Sequence, residues 1–514
     1  MRFPSAVRER DIMPEQVHLL QTSAFRLAVR ELYFRAEKQT DWQRLAEVFV
    51  TSDLFDRVQS PNSQLVLGRR GTGKTHLLRA FQKDATEHGE LALYIDCTIL
   101  GSGYSGVDLE PEVVGQKYFI AFLNQLGTGL LDAALRMESV DESKQNGVIT
   151  KLADGLAPTM KASHQPGQSI FNYRQIADSL GQVLRDLGAN RVYVILDEWA
   201  RIPKPAQPHL AEYLKRAVLP TPEICLKILA VNYQCELAVR HNGHRIGLER
   251  GADIPDVIDM DKYLVYDEKR EFVTRFFAQL LYNHLGVNLG WELSASPERK
   301  QSEVIKQLFT QQRPFVELVR AAEGNCRDCL CIFSRAYFDH FRQSSVSKAI
   351  SVDNVVKAAT AWFDAEKAGS VYADRTARET LTYLMQHVLK GYKSRTFLVE
   401  SGKAEHPRLV QLLNERVLHR LGGTYSHPDR PGIRYDLFTV DYGAFAQLRG
   451  TVNEVQEDVF WEKASEGALS EQQRRLMVPV DDKRSIRRIT FDPDALTAVG
   501  DSDAGAEGPQ KRLF

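Results

Sequence analysis

Eight residues, Gly68 to Thr75 (GRRGTGKT), constrain this chain more than any other feature. The spacing Gly-x-x-x-x-Gly-Lys-Thr is a phosphate cradle: backbone N–H groups wrap an anion, the lysine neutralises its charge and the hydroxyl ligates magnesium. Gly68 and Gly73 free the backbone to curl, Lys74 reaches toward the outer phosphates, and Thr75 is the expected Mg2+ ligand. Arg69, Arg70, Gly71 and Thr72 inside the loop, with His76 just after it, complete the expected phosphate-binding set. The flanks agree. QLVLG (Gln64 to Gly68) has the length and apolar character of a buried strand, and THLLRAFQKDA (Thr75 to Ala85) has helical apolar spacing, which turns a positive dipole end toward the ligand.

At 514 residues the chain is too long for one ordinary core, so several domains are expected. No stretch of eighteen uninterrupted apolar residues occurs, which argues against a transmembrane helix and a membrane partner. The first residues, MRFPSAVRERDIMPEQ, lack the apolar core of a signal peptide, and a cytoplasmic protein is expected. The formal net charge of −1 means that any affinity for nucleic acid must be local. Six cysteines scattered through apolar segments suit a reducing compartment better than a disulfide framework.

Residues 1–40 read as an N-terminal helical extension. Over 41–262, apolar strands (QLVLG, LALYIDC, RVYVILDEW, CLKILAVN) alternate with helical stretches such as GQKYFIAFLNQLGTGLLDAAL, YRQIADSLGQVLRDLG and AEYLKRAVL. Only the GSGYSG turn and a polar, irregular insertion over 137–168 interrupt that alternation. It predicts an α/β domain, a parallel sheet with helices on both faces and ligands at the strands' carboxyl ends. From 263 to 366 the β signal stops and an all-helical domain is expected, with Phe272, Phe276 and Leu280 as a core stripe. Over 370–450 the order is helix (ARETLTYLMQHVLKGY), strand (RTFLV), helix (HPRLVQLLNERVLHRLG) and two strands around a Pro/Gly turn (TYSHPDRPGIRYDLFTV). Residues 451–514 form an extension, disordered at its tip, in which SIRRITF reads as one more strand.

A phosphate loop needs a second, acidic site. VYVILDE supplies it: Asp197 is placed to hold Mg2+ through water, and Glu198 to polarise an attacking water. CLKILAVN ends near Asn232, whose amide could orient that water, although asparagine is also a common turn residue. Cys326, Cys329 and Cys331 hold half of a zinc pattern without the other half, so they read as small apolar residues of a helix.

These elements together, with a helical domain appended, resemble the AAA+ ATPases, and EGNCRDCLCIFSRAYFDH resembles the sensor 2 helix of the initiator branch, the origin recognition complex type. The resemblance implies ATP and ADP as ligands, Mg2+ as cofactor, and hydrolysis that serves as a conformational switch. It makes Asn232 the sensor 1 residue and brings Arg327 to the outer phosphate from a lid over 263–366. ISVDNVVKAATAW would be the last lid helix, capped by Ser351 or Asp353. It also implies self-association through the nucleotide interface with an arginine finger. EYLKRAVLP nominates Arg216, with Arg240, Arg245 and Arg250 as competitors. The 370–450 segment resembles a winged helix, its middle helix short or absent. Its basic excess, roughly +4, includes Arg408, Arg416, Arg420, Arg430 and Arg434. Arg416 and Arg420 are expected four apart on one helix face, with Arg430 and Arg434 beside the hairpin tip, ready for the phosphates of double-stranded DNA.

Two functions fit these expectations: an ATP-controlled DNA-binding switch, and a signalling or antiviral-defence switch whose C-terminal domain binds a protein partner or effector. A helicase-like motor is disfavoured, because there is one nucleotide site and no second motor core.

Overall fold

The computed structural model describes residues 19–32, 45, 47–101, 109–136, 146–148, 150–151, 171–266, 269–291, 298–343, 349–426, 432–448 and 489–496. The expectations for GSGYSG, for most of the 137–168 insertion, for Arg430 and for most of the C-terminal extension lie outside these residues.

After helix α1 (Ser23–Arg30) the segment that carries the glycine loop begins at strand β1 (Gln64–Leu67). Helix α2 (Lys74–Glu87), β2 (Leu91–Asp96), α3 (Pro111–Arg136), α4 (Tyr173–Asp186) and β3 (Val192–Asp197) follow. Next come α5 (Gln207–Ala217), β4 (Ile224–Ala230), a hairpin of β5 (Ala238–His241) and β6 (His244–Gly247), and β7 (Asp256–Asp259). Five strands form one parallel sheet in the order β2-β3-β4-β1-β7. Every residue of β1, β3 and β4 is buried, as strands covered on both faces require, and their sequences are mostly apolar, with Gln64, Asp197 and Lys227 as the buried polar exceptions. Along β1, Val66 enters one core while Leu65 and Leu67 enter the other.

Register brings the carboxyl ends together. Asp96 pairs with Asp197 across β2 and β3, and Leu67, just before the phosphate loop, pairs with Ala230 and Asp259. The acids and the loop therefore meet at one edge of the sheet.

The core on the Val66 side runs on into the helices that follow: α6 (Arg270–Leu289), α7 (Glu298–Leu308), α8 (Gln312–Ala322), α9 (Cys326–Gln343) and α10 (Val352–Phe363). Of the two candidate caps of α10, Ser351 is the one used: its hydroxyl accepts from the Asn354 N–H while the Asn354 side chain accepts from the Ser351 N–H. Cys329 and Cys331 are buried in the same core.

Beyond α10 a π-helical turn (Asp364–Ala368) leads to α11 (Arg375–Tyr383), β8 (Thr396–Glu400), α12 (Pro407–Asn414), β9 (Leu418–Ser426) and β10 (Arg434–Val440). The strands form an antiparallel sheet in the order β8-β10-β9. Thr490 of SIRRITF bridges to Leu398 on the free edge of β8.

One expected element is corrected. HPRLVQLLNERVLHRLG is not one helix: α12 stops at Asn414, and β9 starts at Leu418. Arg416 takes φ +61°, the left-handed conformation that usually ends a helix, and the apolar spacing of Val417, Leu418 and Leu421 is spent on the sheet side. Arg416 and Arg420 therefore do not share a helix face.

Candidate nucleotide site

The loop after β1 turns into α2 through two glycines in the left-handed region, Gly71 (φ +91°) and Gly73 (φ +96°). Gly73 caps α2, so the first free N–H groups of that helix open into the loop. Lys74 Nζ donates to the carbonyls of Gly68 (2.7 Å) and Arg69 (3.0 Å), which holds the ammonium over the loop. Burial lowers its pKa, against the pull of Asp261 and Asp197.

Thr75 and Asp197, the two expected Mg2+ ligands, lie side by side: Thr75 Oγ1 donates to Asp197 Oδ2 at 2.7 Å. The same carboxylate accepts from the Tyr94 hydroxyl and, at 2.7 Å, from the Glu198 N–H. A hydroxyl and a carboxylate side by side form the hard oxygen donor set that Mg2+ prefers. Glu198 sits in the left-handed region (φ +54°), a conformation costly for a non-glycine residue and concentrated at functional sites. Its Oε2 is buried without a hydrogen-bond partner among the described residues, though Arg201 Nε lies 3.4 Å away. Burial, then the Asp197 charge, push the Glu198 carboxyl above its ordinary range.

These groups line a cleft of about 330 Å³. Its phosphate end holds Arg70 to His76, Glu198 and Arg327, and its other end is apolar, with Val48, Phe49, Val50, Leu280 and His284. His76 bonds the Leu45 carbonyl and meets His284 edge-on at 6.3 Å. Burial depresses both imidazoles, that of His284 to about 3.

The start of α9 straps the loop directly. Asn325 Nδ2 donates to the Arg70 carbonyl (2.7 Å), and the Arg327 N–H donates to the Gly71 carbonyl (3.1 Å). Asn325 Oδ1 accepts the Asp328 N–H at 3.1 Å, so one buried amide ties the start of α9 to the loop. A Cβ at Gly71 would lie 2.5 Å from Asn325 Oδ1 and 2.9 Å from Arg327 Cβ. Gly71 is outside the loop's consensus, and the close approach of Asn325 and Arg327 accounts for it.

Asn232 lies past the end of β4, and its Nδ2 donates to Asp261 at 3.3 Å and to Asp259 at 3.5 Å. Arg216 lies away from the cleft, its guanidinium 4.2 Å from the Tyr173 ring centre. Arg240 and Arg245 face each other across the exposed β5–β6 hairpin.

Sequence reasoning missed a chain of buried charges behind the loop. Arg69 Nε and N–H both donate to the Asp261 carboxylate (2.9 and 3.0 Å), and Nη2 donates to the Glu323 carbonyl (2.7 Å). Arg69 Nη1 donates to His419 Nδ1. Because guanidinium is only a donor, Nδ1 must be the acceptor, and His419 carries its proton on Nε2, which donates to Asp441 at 2.9 Å. Asp441 pairs with Lys367 (2.6 Å), Lys367 with Asp328 (2.9 Å), and Asp328 with Arg416 (2.7 Å). The Lys367 and Asp328 side chains are 1% and 2% exposed.

The chain holds three cations (Arg69, Lys367, Arg416) and three carboxylates (Asp261, Asp441, Asp328), so it balances when His419 is neutral. Burial and then the Arg69 charge press the His419 pKa down to about 3. Burial alone would raise the Asp328 carboxyl, but Lys367 and Arg416 hold it below its ordinary range. Burial alone would lower Lys367, but Asp328 and Asp441 raise it.

This chain corrects the expected nucleic-acid face. Arg416 is turned inward onto Asp328, and Arg420 onto Asp436 (2.9 Å) and the Tyr233 hydroxyl (3.2 Å). Arg408 lies against α11, bonded to Thr376 and Thr380 and 3.8 Å from Glu379. Arg434, at the start of β10, is exposed.

Residues 32–99, which span β1, the loop, α2 and β2, match the ORC-CDC6-like family model. That match covers the glycine loop and its two flanking strands alone. Around that ORC-CDC6-like segment, three solved structures are similar. The Aeropyrum pernix ORC1 protein in complex with DNA is 14% identical over 83% of this chain and 96% of its own, with a TM-score of 0.31. The Thermotoga maritima RuvB Holliday junction branch migration motor is 10% identical over 78% and 95%, also at 0.31. A variant of that RuvB is 11% identical over 79% and 92%, again at 0.31. No curated protein matches the chain in sequence.

Proposed function

We propose that this protein is an ATP-hydrolysing switch in which the nucleotide sets how the lid and the C-terminal module sit on the phosphate loop. The observation that carries the proposal is the continuity from loop to module: Arg69 belongs to the loop, and it bonds both the lid at Glu323 and the C-terminal strand β9 at His419. A nucleotide that reshapes the loop must act on all three.

In this reading Lys74, Arg70 and Arg327 bind the phosphates, and the apolar end of the cleft takes the base. Thr75 and Asp197 would hold Mg2+, which when bound neutralises charge on the outer phosphates. Glu198 is the general base. Its raised pKa brings it toward the operating pH, where a base is effective, and it lines the cleft that would hold the attacking water. Asn232 orients that water while tied to Asp261, the carboxylate that anchors Arg69. Subunits associate through the nucleotide face, with Arg216 as the nominated finger and Arg240, Arg245 and Arg250 as alternates.

Double-stranded DNA is the first candidate partner, on the ORC/Cdc6-type resemblance and on the helix–strand–helix–hairpin order of a winged helix. Exposed Arg434, with Arg430, would supply phosphate contacts. A second reading, with a protein or effector as partner, is favoured by the inward turn of Arg408, Arg416 and Arg420, which removes basic charge from the surface. Filter retention of a labelled duplex decides between them. Retention that requires ATP and falls steeply with salt supports the DNA reading. Equal lack of retention with ATP, ADP or no nucleotide excludes it.

A further inference from the structure

Asp197 is the carboxylate on which the proposed metal site depends, and it is buried. Besides the Thr75 hydroxyl and the Glu198 N–H, it accepts from the hydroxyl of Tyr94 on β2, a contact that the phosphate-loop pattern does not call for. Register makes that contact possible. Asp96 lies opposite Asp197 across β2 and β3, and Tyr94, two residues back, shares the Asp96 face, so its ring reaches diagonally to the carboxylate. Thr75 and Tyr94 both donate to Oδ2, while the Glu198 N–H donates to Oδ1.

The tyrosine is itself held. The Arg79 guanidinium lies over its ring, 3.2 Å from the centre. Arg79 Nη1 donates to Gln82 Oε1 (3.1 Å), and Gln82 Nε2 donates to the carbonyl of Ala92 (2.8 Å), two residues before Tyr94 on the same strand. Thr75 and Arg79 are four residues apart on α2, hence one turn apart on one face. Helix α2 therefore grips the Asp197–Tyr94 unit at two points, with Thr75 at the carboxylate and Arg79 at the ring. Satisfying a buried carboxylate requires a donor, but not a donor braced by a cation on the neighbouring helix. Bracing matters where the orientation of a metal ligand has to be kept.

We infer that Tyr94 is a positioning residue for Mg2+ binding: its hydroxyl fixes the rotation of the Asp197 carboxylate beside Thr75, and Arg79 fixes the ring that carries the hydroxyl. The inference rests on the nucleotide reading of the cleft, since without a metal at Thr75 and Asp197 there is nothing to position. Tyr94 is not among the residues that line the cleft, so it acts through Asp197.

The test follows ADP binding to the full chain by calorimetry over a series of Mg2+ concentrations, a readout independent of turnover. Tyr94→Phe keeps the ring under Arg79 and removes only the hydroxyl. Its ADP affinity without Mg2+ should match the parent, while the Mg2+ concentration that gives half of the metal's effect should rise about 10–100-fold, the usual result of removing the partner of a metal ligand. A merely structural hydroxyl would lower the melting temperature and leave that midpoint where the parent has it, and this result overturns the inference. Loss of ADP binding already without Mg2+ also overturns it, because the hydroxyl would then shape the loop rather than the metal ligand. If Tyr94→Phe is too unstable to titrate, Arg79→Gln decides, since it keeps the hydroxyl and frees the ring: a raised midpoint supports the inference and an unchanged one overturns it. A parent that binds no ADP, or binds it without any response to Mg2+, sinks the nucleotide reading and this inference together. A responsive parent beside an unshifted Tyr94→Phe removes only this inference.

Discussion

Arg69 and Asp261 hold each other at the root of the phosphate loop, through the guanidinium at 2.9 Å and the Arg69 N–H at 3.0 Å. Burial alone would raise the Asp261 carboxyl, yet Arg69 keeps it below its ordinary range. Removing one partner of such a buried pair costs about 3–5 kcal/mol, because the other charge is left uncompensated. Asp261→Asn should therefore lower the melting temperature by several degrees and weaken ATP binding. A variant that melts and binds like the parent would show that the anchor is dispensable.

Lys74→Ala should abolish ATP binding in a nucleotide titration. Glu198→Gln should bind ATP normally and hydrolyse it about 10²–10⁴-fold more slowly, the usual contribution of a general base. Unimpaired turnover in that variant removes Glu198 from the chemistry.

Two histidines give the fold a one-sided response to acid. His284 and His419 have pKa values near 3 when folded, against an ordinary value of 6.5, so the unfolded chain binds more protons below pH 6.5. Stability should therefore fall as pH drops from 6.5 toward 3, by up to about 2.7 kcal/mol per pH unit if both groups respond fully. Urea melts between pH 5 and 7 measure this slope. His419→Gln, which keeps a donor and an acceptor, should remove about half of it.

Gly71→Ala should separate lid docking from phosphate chemistry. The added methyl would meet Asn325 and Arg327, and φ +91° is unsuited to alanine. A loss of at least 1–3 kcal/mol is expected from the backbone alone. Protease susceptibility of the lid should rise with it, and an unchanged digestion pattern would argue against a tight strap.

Much of this was legible in the sequence because the relevant signals are local. The strand-loop-helix grammar around GRRGTGKT and the apolar run ending at Asp197 each lie within one window of chain. The pairing of Thr75 with Asp197 followed because parallel strands align their carboxyl ends. What stayed hidden was non-local. Asp261, Lys367, His419 and Asp441 are single polar residues in unremarkable surroundings, and only the fold brings them within bonding distance of one another and of Arg69. The misread helix shows the complementary limit. NERVLHRLG carries helical spacing, but its last residues pair with β10 as a strand, and the tertiary pairing prevailed.

His419 also bears on how the molecule can be dissected. A chain cut after Gly369 would keep the phosphate loop, Asp197, Glu198 and helices α6 to α10, yet Arg69 would face a void where an imidazole belongs, and Lys367 would lose one of its two carboxylates. The excised ATPase would not be this protein made smaller. Its loop would lack the imidazole that Arg69 bonds, and its nucleotide affinity would describe a different site.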